Sequence, residues 1–288
     1  MDKRYVGALV ANSASLGHHW IYNTPFLESE SKKRDLLFQK QHQDVYERGK
    51  PSYFVYPKAD IGDFSTQGMF FKWLYEDIIK KDNYSKNDYI TMLYEHIRPG
   101  GDYEGYIESY AKKMIIESLY DDLKITYTPF EKDDTHLVNF IPYMICKLHQ
   151  LPKEKAWEIA QAFTEVEDFF IFYEMFDELL SIINEAPLKT LLKKVIPKAP
   201  KHFQEALYQA LDMDDTKAFI KDYAGIACYI SQSIPLIFHI LSHTTSYEEM
   251  VHWNTKIGGA SSDRGLLLGF IMSMVSDIPK AWIKLTHL

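Results

Sequence analysis

Four acidic side chains are the clearest candidates for acid–base or metal chemistry: Asp63, the adjacent Asp133 and Asp134, and Asp263. Asp133-Asp134-Thr135-His136 places two carboxylates and a hydroxyl just before the apolar run Leu137–Cys146. That pattern describes either a helix N-terminus, whose free N–H groups and dipole favour acids, or an acid pair facing a cleft, where a magnesium ion or an activated water could sit. Asp263 belongs to Ile257-Gly258-Gly259-Ala260-Ser261-Ser262-Asp263-Arg264-Gly265. This stretch has the frame of a Gly-Gly-Asp-x-Asp-Thr metal-binding turn, with Ala260 and Ser262 where the two acids would stand. Glu249 and His252 form a single Glu-x-x-His, whereas di-iron bundles need two such motifs and two further glutamates. His18 and His19 resemble a metal handle, but adjacent helical residues point about 100° apart. One packed and one exposed imidazole is the expectation. There is no Gly-x-Ser-x-Gly elbow, phosphate-binding Gly-Lys-Ser/Thr loop, Cys-x-x-Cys or His-Glu-x-x-His.

The elements that must position these residues read as helices. Ser85 can cap a helix carrying Ile90, Leu93, Tyr94 and Ile97, which Pro99-Gly100-Gly101 stops. Ser246-Tyr247-Glu248-Glu249 has the Ser-x-x-Glu capping box. Pro152 opens another helix at its first turn. Apolar residues recur at helical spacing through Tyr106–Leu119, Val138–Leu148, Phe169–Ile183 and Gly265–Val275. Tyr53–Tyr56 and Ile125–Thr128 are β-prone but short, and each ends at a proline. No repeat, linker or change in composition divides the chain, so one compact all-α domain over residues 1–288 is expected.

Composition excludes some function classes. With 32 Lys and Arg against 40 Asp and Glu, the net charge is −8. Without a basic tract, that balance repels phosphate backbones and gives no support for nucleic-acid binding. The apolar stretch Gly225–Leu241 includes Gln232, Pro235 and His239 and is too short to span a bilayer. The N-terminal run Val6–Leu16 contains Asn12, Ser13 and Ser15, too polar for a signal peptide. Two cysteines, Cys146 and Cys228, sit in apolar runs and imply no disulfide framework; a reducing cytoplasm is expected. Aromatic residues form 15% of the chain, a supply of rings for the core or for a ring-lined pocket.

Several blocks then assemble in order: Gly7–Tyr22, with Asn12 and His18-His19-Trp20-Ile21-Tyr22; Gly62-Asp63-Phe64-Ser65-Thr66-Gln67-Gly68; Gly105-Tyr106-Ile107; and Asp133-Asp134-Thr135-His136. They are followed by Cys228, Gln232, Pro235, His239-Ile240-Leu241, Asn254, Gly258-Gly259, Arg264, Gly269, Pro279 and Trp282. Over nearly the full chain this order resembles the ADP-ribosylglycohydrolase family, in particular the branch that includes the lens J-crystallins. The resemblance implies a compact helical bundle with a cleft for ADP-ribose. In active members of that family, clustered Asp and Thr side chains from the first, second and last blocks hold two magnesium ions, and a metal-oriented water helps cleave a glycosidic bond.

The chain departs from that pattern at its ligands. Asn12 stands where an Asp is usual, Met69 and then Phe70 follow Gly68 where an acid is expected, and Ala260 and Ser262 replace the two acids of the last block. Asp263 takes the place of a neighbouring Thr or small residue. Magnesium requires near-octahedral oxygen ligation with carboxylate charge, so no bound magnesium or other cofactor is expected. The resemblance places ligand contacts on Asn12, Ser65, Gly68, Tyr106, Gly258, Gly259 and Ser261. Two functions follow from it. One is a non-catalytic or strongly divergent member whose cleft binds ADP-ribose or a related nucleotide, free or on a modified protein. The other is an active hydrolase of ADP-ribosyl bonds, with Asp63, Asp133, Asp134 or Asp263 as acid and base.

Overall fold

Asp2 starts the first helix, Lys3–Ser15, its carboxylate accepting from the Arg4 backbone N–H at 2.8 Å. From Tyr5 onward every residue of this helix is buried. It packs along its length against a second buried helix, Ser261–Val275, through small residues. A Cβ on Gly269 would lie 2.2 Å from the Gly7 carbonyl oxygen, and one on Gly7 would lie 2.6 Å from that of Gly269. Only glycine allows the two backbones to come this close.

A computed structural model describes all residues, Met1–Leu288, as sixteen α-helices with short 3₁₀ turns and no strand. The other helices surround the central pair, among them Thr66–Asp77, Phe140–Leu148, Ile230–His243 and Tyr247–Ile257. One contiguous apolar core runs from Tyr5 to Ile278, so the helices form a single all-α domain. No helix is long and apolar enough to cross a membrane.

The capping signals are realised to different degrees. At Lys86–Ile97 the box is complete: Ser85 Oγ accepts from Asp88 N at 3.2 Å, and Asp88 Oδ2 accepts from Ser85 N at 2.9 Å. At Tyr247–Ile257, Ser246 Oγ accepts from Glu249 N at 3.1 Å, but Glu249 reaches past the cap to the Thr245 N–H at 2.8 Å. Pro152 is the residue before the helix Lys153–Ala160 rather than part of its first turn. Tyr53–Tyr56 and Ile125–Thr128 form no strand. Only isolated bridges occur, such as Ile21 with Ser52, because β-propensity is realised only against an extended partner.

The expectation for the two histidines is corrected: both are buried. His18 ends a 3₁₀ turn and its Nδ1 bonds the Leu36 carbonyl at 3.0 Å, while His19 turns toward the central helices. Two imidazoles with separate partners can both leave water. Burial, with the Arg34 charge, lowers the His18 pKa to about 4.

Two outcomes follow from this packing. Gly269→Ala should destabilise the fold by about 1–3 kcal/mol in urea titrations, because overpacking outweighs the better helix propensity of alanine. His18 stays neutral when folded to about pH 4 but takes a proton near pH 6.5 when unfolded. Its contribution is present above pH 6.5 and falls away as the pH drops toward 4, about 3 kcal/mol in total. Unfolding free energies measured across that range should fall with acidification, and His18→Gln should flatten the slope.

Candidate functional site

The glycine turn near the C-terminus organises the site. Gly258 ends the helix Tyr247–Ile257 with φ +83°, and Gly259 follows with φ +62°. Both values favour glycine. The Gly259 N–H donates to the Ile21 carbonyl and the Gly259 carbonyl accepts from Trp20 N, each at 2.7 Å. The next residue, Ala260, donates its N–H to the Ile226 carbonyl at 2.8 Å.

Arg264 fixes this turn from inside. Its guanidinium donates to Asn254 Oδ1 and to the Gly258 carbonyl at 2.8 Å each, and to the Ile226 carbonyl at 3.4 Å. Asn254 in turn donates to the Ser261 carbonyl at 2.8 Å. Full burial pulls the Arg264 pKa down to about 10. The group remains a cation held by carbonyl oxygens.

Asn12, Ser65 and Asp263 come together on three helices. Asn12 projects from Lys3–Ser15, Ser65 caps Thr66–Asp77, and Asp263 lies in the first turn of Ser261–Val275. Asn12 Nδ2 donates to Ser65 Oγ at 2.8 Å and to the Ser262 carbonyl at 3.0 Å. Asn12 Oδ1 accepts from Ser65 N at 3.0 Å, and Ser65 Oγ donates to Asp263 Oδ1 at 2.8 Å. Ser262 Oγ donates to the Asn12 carbonyl at 2.9 Å. Gly68 admits the carboxamide, since a Cβ there would lie 2.4 Å from Asn12 Oδ1. His19 Nδ1 accepts from Ser262 N at 3.1 Å, which places the ring N–H on Nε2, 3.4 Å from Asp263 Oδ2. All these side chains are buried.

This donor set does not fit a magnesium pair. One carboxylate is present, Asp263, and the oxygens of Asn12, Ser65 and Ser262 are bonded to one another or to backbone. Ala260 offers no ligand atom, Phe70 is in the core, and Met69 lines a cleft with a thioether, a poor magnesium ligand.

Beside this network lie two clefts that meet at Tyr106. The first, of about 270 Å³, is lined by the rings of Trp20, Tyr22, Tyr53 and Tyr106 and by Glu108, His136 and Cys228. The second, of about 440 Å³, includes Lys58, Asp63, Met69 and Tyr103. Trp20 and Tyr106 pack edge to face with ring centres 5.2 Å apart. Trp20 has φ +67°, a strained backbone fixed by its bond to Gly259, and its Nε1–H has no protein partner. Thr66 donates to the Tyr106 carbonyl and is bonded to the hydroxyls of Tyr56 and Tyr103.

The other predicted acids are dispersed. Asp63 is half-exposed, paired with His287 at 2.9 Å, and lines the second cleft. Asp133 points to solvent and pairs with Lys113 at 3.2 Å. Asp134 faces inward: its Oδ2 lies 2.7 Å from His136 Nδ1, and its Oδ1 accepts from Asn139 Nδ2 at 2.7 Å. The adjacent pair therefore splits, one acid outward and one behind the first cleft. Ser261 is buried beneath the turn with no partner for its hydroxyl.

Glu108 is the site residue that the sequence reading missed. It precedes the helix Ser109–Asp122 directly after Gly105-Tyr106-Ile107, and that adjacency was its only signal. Glu108 Oε1 accepts from Tyr110 OH at 2.8 Å and from Gln67 Nε2 at 3.4 Å. Burial, then the Asp263 charge, raises its pKa well above the usual carboxylate range. Burial and the same acids push the Cys228 thiol up as well. For His136, burial works against the cation, but the Asp134 bond and charge, with Glu108 and Asp263, outweigh it and raise the pKa.

No protein-family model matches the chain, and no curated protein matches it.

Asn12→Asp provides a direct test of the buried network. It removes two donated hydrogen bonds and sets a second carboxylate near Asp263. The unfolding free energy at neutral pH should fall by about 1–3 kcal/mol or more. Millimolar magnesium should not restore it; a restored value would mean that the remaining oxygens do form a cation site.

Proposed function

We propose that this chain is a divergent relative of the ADP-ribosylglycohydrolases that binds an ADP-ribose-like small molecule, free or carried on a modified protein, without magnesium and without hydrolysing it. The observation that carries this reading is the hydrogen-bonded network of Asn12, Ser65, Ser262 and Asp263, which holds a single carboxylate. Across three helices the Asn12 carboxamide, the Ser65 and Ser262 hydroxyls and Asp263 Oδ1 are bonded to one another or to backbone, which leaves Asp263 Oδ2, 3.4 Å from His19 Nε2, as the one oxygen of the four side chains without a hydrogen bond. The two clefts support binding. Five aromatic rings in the first, Trp20, Tyr22, Tyr53, Tyr106 and Tyr229, suit a planar base or a ribose face, at about 1–3 kcal/mol per stacked base. Lys112, over the Tyr106 ring at 5.0 Å, supplies a cation for a phosphate, whereas Lys58 in the second cleft is paired with Glu104 at 2.7 Å and would have to exchange that partner. The two free thiols, Cys146 and Cys228, suit a reducing cytoplasm.

A thermal-shift titration tests the reading. ADP-ribose should raise the melting temperature to the same extent with and without millimolar magnesium. Tyr106→Ala should weaken binding by about tenfold, the loss of one stacking contact. No shift with ADP-ribose, or a rise caused by magnesium alone, would sink it.

A second reading, hydrolysis, is favoured by Glu108, a buried carboxyl with a raised pKa beside His136 in an aromatic cleft. It requires free ADP-ribose to be released from an ADP-ribosylated protein and Glu108→Gln to abolish that release. Under the binding proposal no release occurs.

A further inference from the structure

Three side chains from distant parts of the chain converge at the inner wall of the aromatic cleft. The Glu108 carboxylate, a ring nitrogen of His136 and Cys228 Sγ lie within 4.8 Å of one another. The backbone holds two of them in register: Leu137 N donates to the Cys228 carbonyl at 2.9 Å, and Ile230 N donates to the Thr135 carbonyl at 2.8 Å, around the bridge between His136 and Tyr229. Glu108 is fixed by Tyr110 and Gln67, both bonded to Oε1, which leaves Oε2 available. His136 directs Nδ1 to Asp134 and so presents Nε2 as its free nitrogen. The three donor groups make no hydrogen bond to one another.

We propose that Glu108, His136 and Cys228 bind one divalent transition-metal ion of the zinc type, with Asp134 as the residue that orients His136. Carboxylate, imidazole and thiol are the donors that such ions select, and magnesium does not take thiolate. Donors this close can reach bonds of about 2.0–2.3 Å around one ion after small side-chain rotations. The Asp134–His136 contact is the carboxylate–histidine arrangement that sets the tautomer and orientation of a ligating imidazole. Three protein ligands would leave a fourth position for a water or an oxygen of a bound molecule, and Trp20, Tyr22 and Tyr229 line the same cleft as the three donors. The site shares no residue with the Asn12–Ser65–Asp263 network and does not depend on which small molecule occupies the cleft.

Cobalt(II) is the probe. The full-length protein, freed of metal by a chelator that is then removed, is titrated with cobalt in the absence of nucleotide. The expected result is one equivalent bound, with the intense visible bands of a four-coordinate ion and a thiolate-to-cobalt charge-transfer band. Zinc should displace the cobalt and bleach the spectrum. Cys228→Ser should remove the charge-transfer band, while Cys146→Ser keeps it. Glu108→Gln, which preserves the side-chain volume, should weaken binding at least tenfold, and Asp134→Asn by about 10–100-fold. A weak spectrum typical of six-coordinate cobalt in the folded wild-type protein, a charge-transfer band that survives Cys228→Ser, or no binding would overturn the proposal. The spectrum is read without ADP-ribose, so its outcome is separate from that of nucleotide binding.

Discussion

The buried guanidinium of Arg264 is the constraint on which the site depends. It has no carboxylate partner within ion-pair distance, and its charge is held by Asn254 Oδ1 and the carbonyls of Gly258 and Ile226. A cation removed from water is costly unless its donors are satisfied. Its acceptors therefore have to stay in place. Those acceptors belong to the helix Tyr247–Ile257, to the glycine turn and to the segment that leads to Cys228. Through Gly259 the same turn fixes Trp20 in its positive-φ conformation. One wall of the aromatic cleft is thus set by a charge that contacts no ligand.

Around this anchor, acidic groups are handled in two ways. Asp263 is buried within a hydrogen-bond network that ties the two central helices to the cap of Thr66–Asp77. Glu108 instead lines the cleft with His136 and Cys228, and Asp134 stands behind His136. Burial raises the cost of charge on Glu108, and Asp263 adds to it. The first arrangement commits its polar atoms to packing, apart from Asp263 Oδ2. The second leaves Glu108 Oε2, His136 Nε2 and Cys228 Sγ uncommitted.

The helical fold was legible because its signals are local. Ser85 with Asp88 specifies a cap within four residues, and the apolar period of Phe169–Ile183 falls on the observed helix Asp168–Ser181. The fate of His18 and His19 was not legible, because their partners, Leu36 and Ser262, lie 18 and 243 residues away. The candidate site divides the same way. Asn12, Ser65 and Asp263 could be picked out from sequence blocks, yet that they bond one another depends on how three helices meet. Glu108 resembles any glutamate before a helix, and Cys228 resembles an inert buried thiol. What distinguishes Cys228 is the pairing of residues 135–137 with 228–230, a contact between segments with no shared motif, and what distinguishes Glu108 is its burial against Tyr110 and Gln67 beside that pairing.

The Asn12 carboxamide also restricts the paths by which this sequence can change. It donates to Ser65 and Ser262 and accepts from the Ser65 backbone, so three positions are correct only in combination. A carboxylate at Asn12 alone loses its donors, and one at Ser262 alone loses the hydroxyl that donates to the Asn12 carbonyl. A sequence carrying this network could acquire a second buried carboxylate only by passing through less stable intermediates or by changing several residues at once. The hydrogen bonds that hold the helices together thus make these positions epistatic, each fixing which side chain the others can accept.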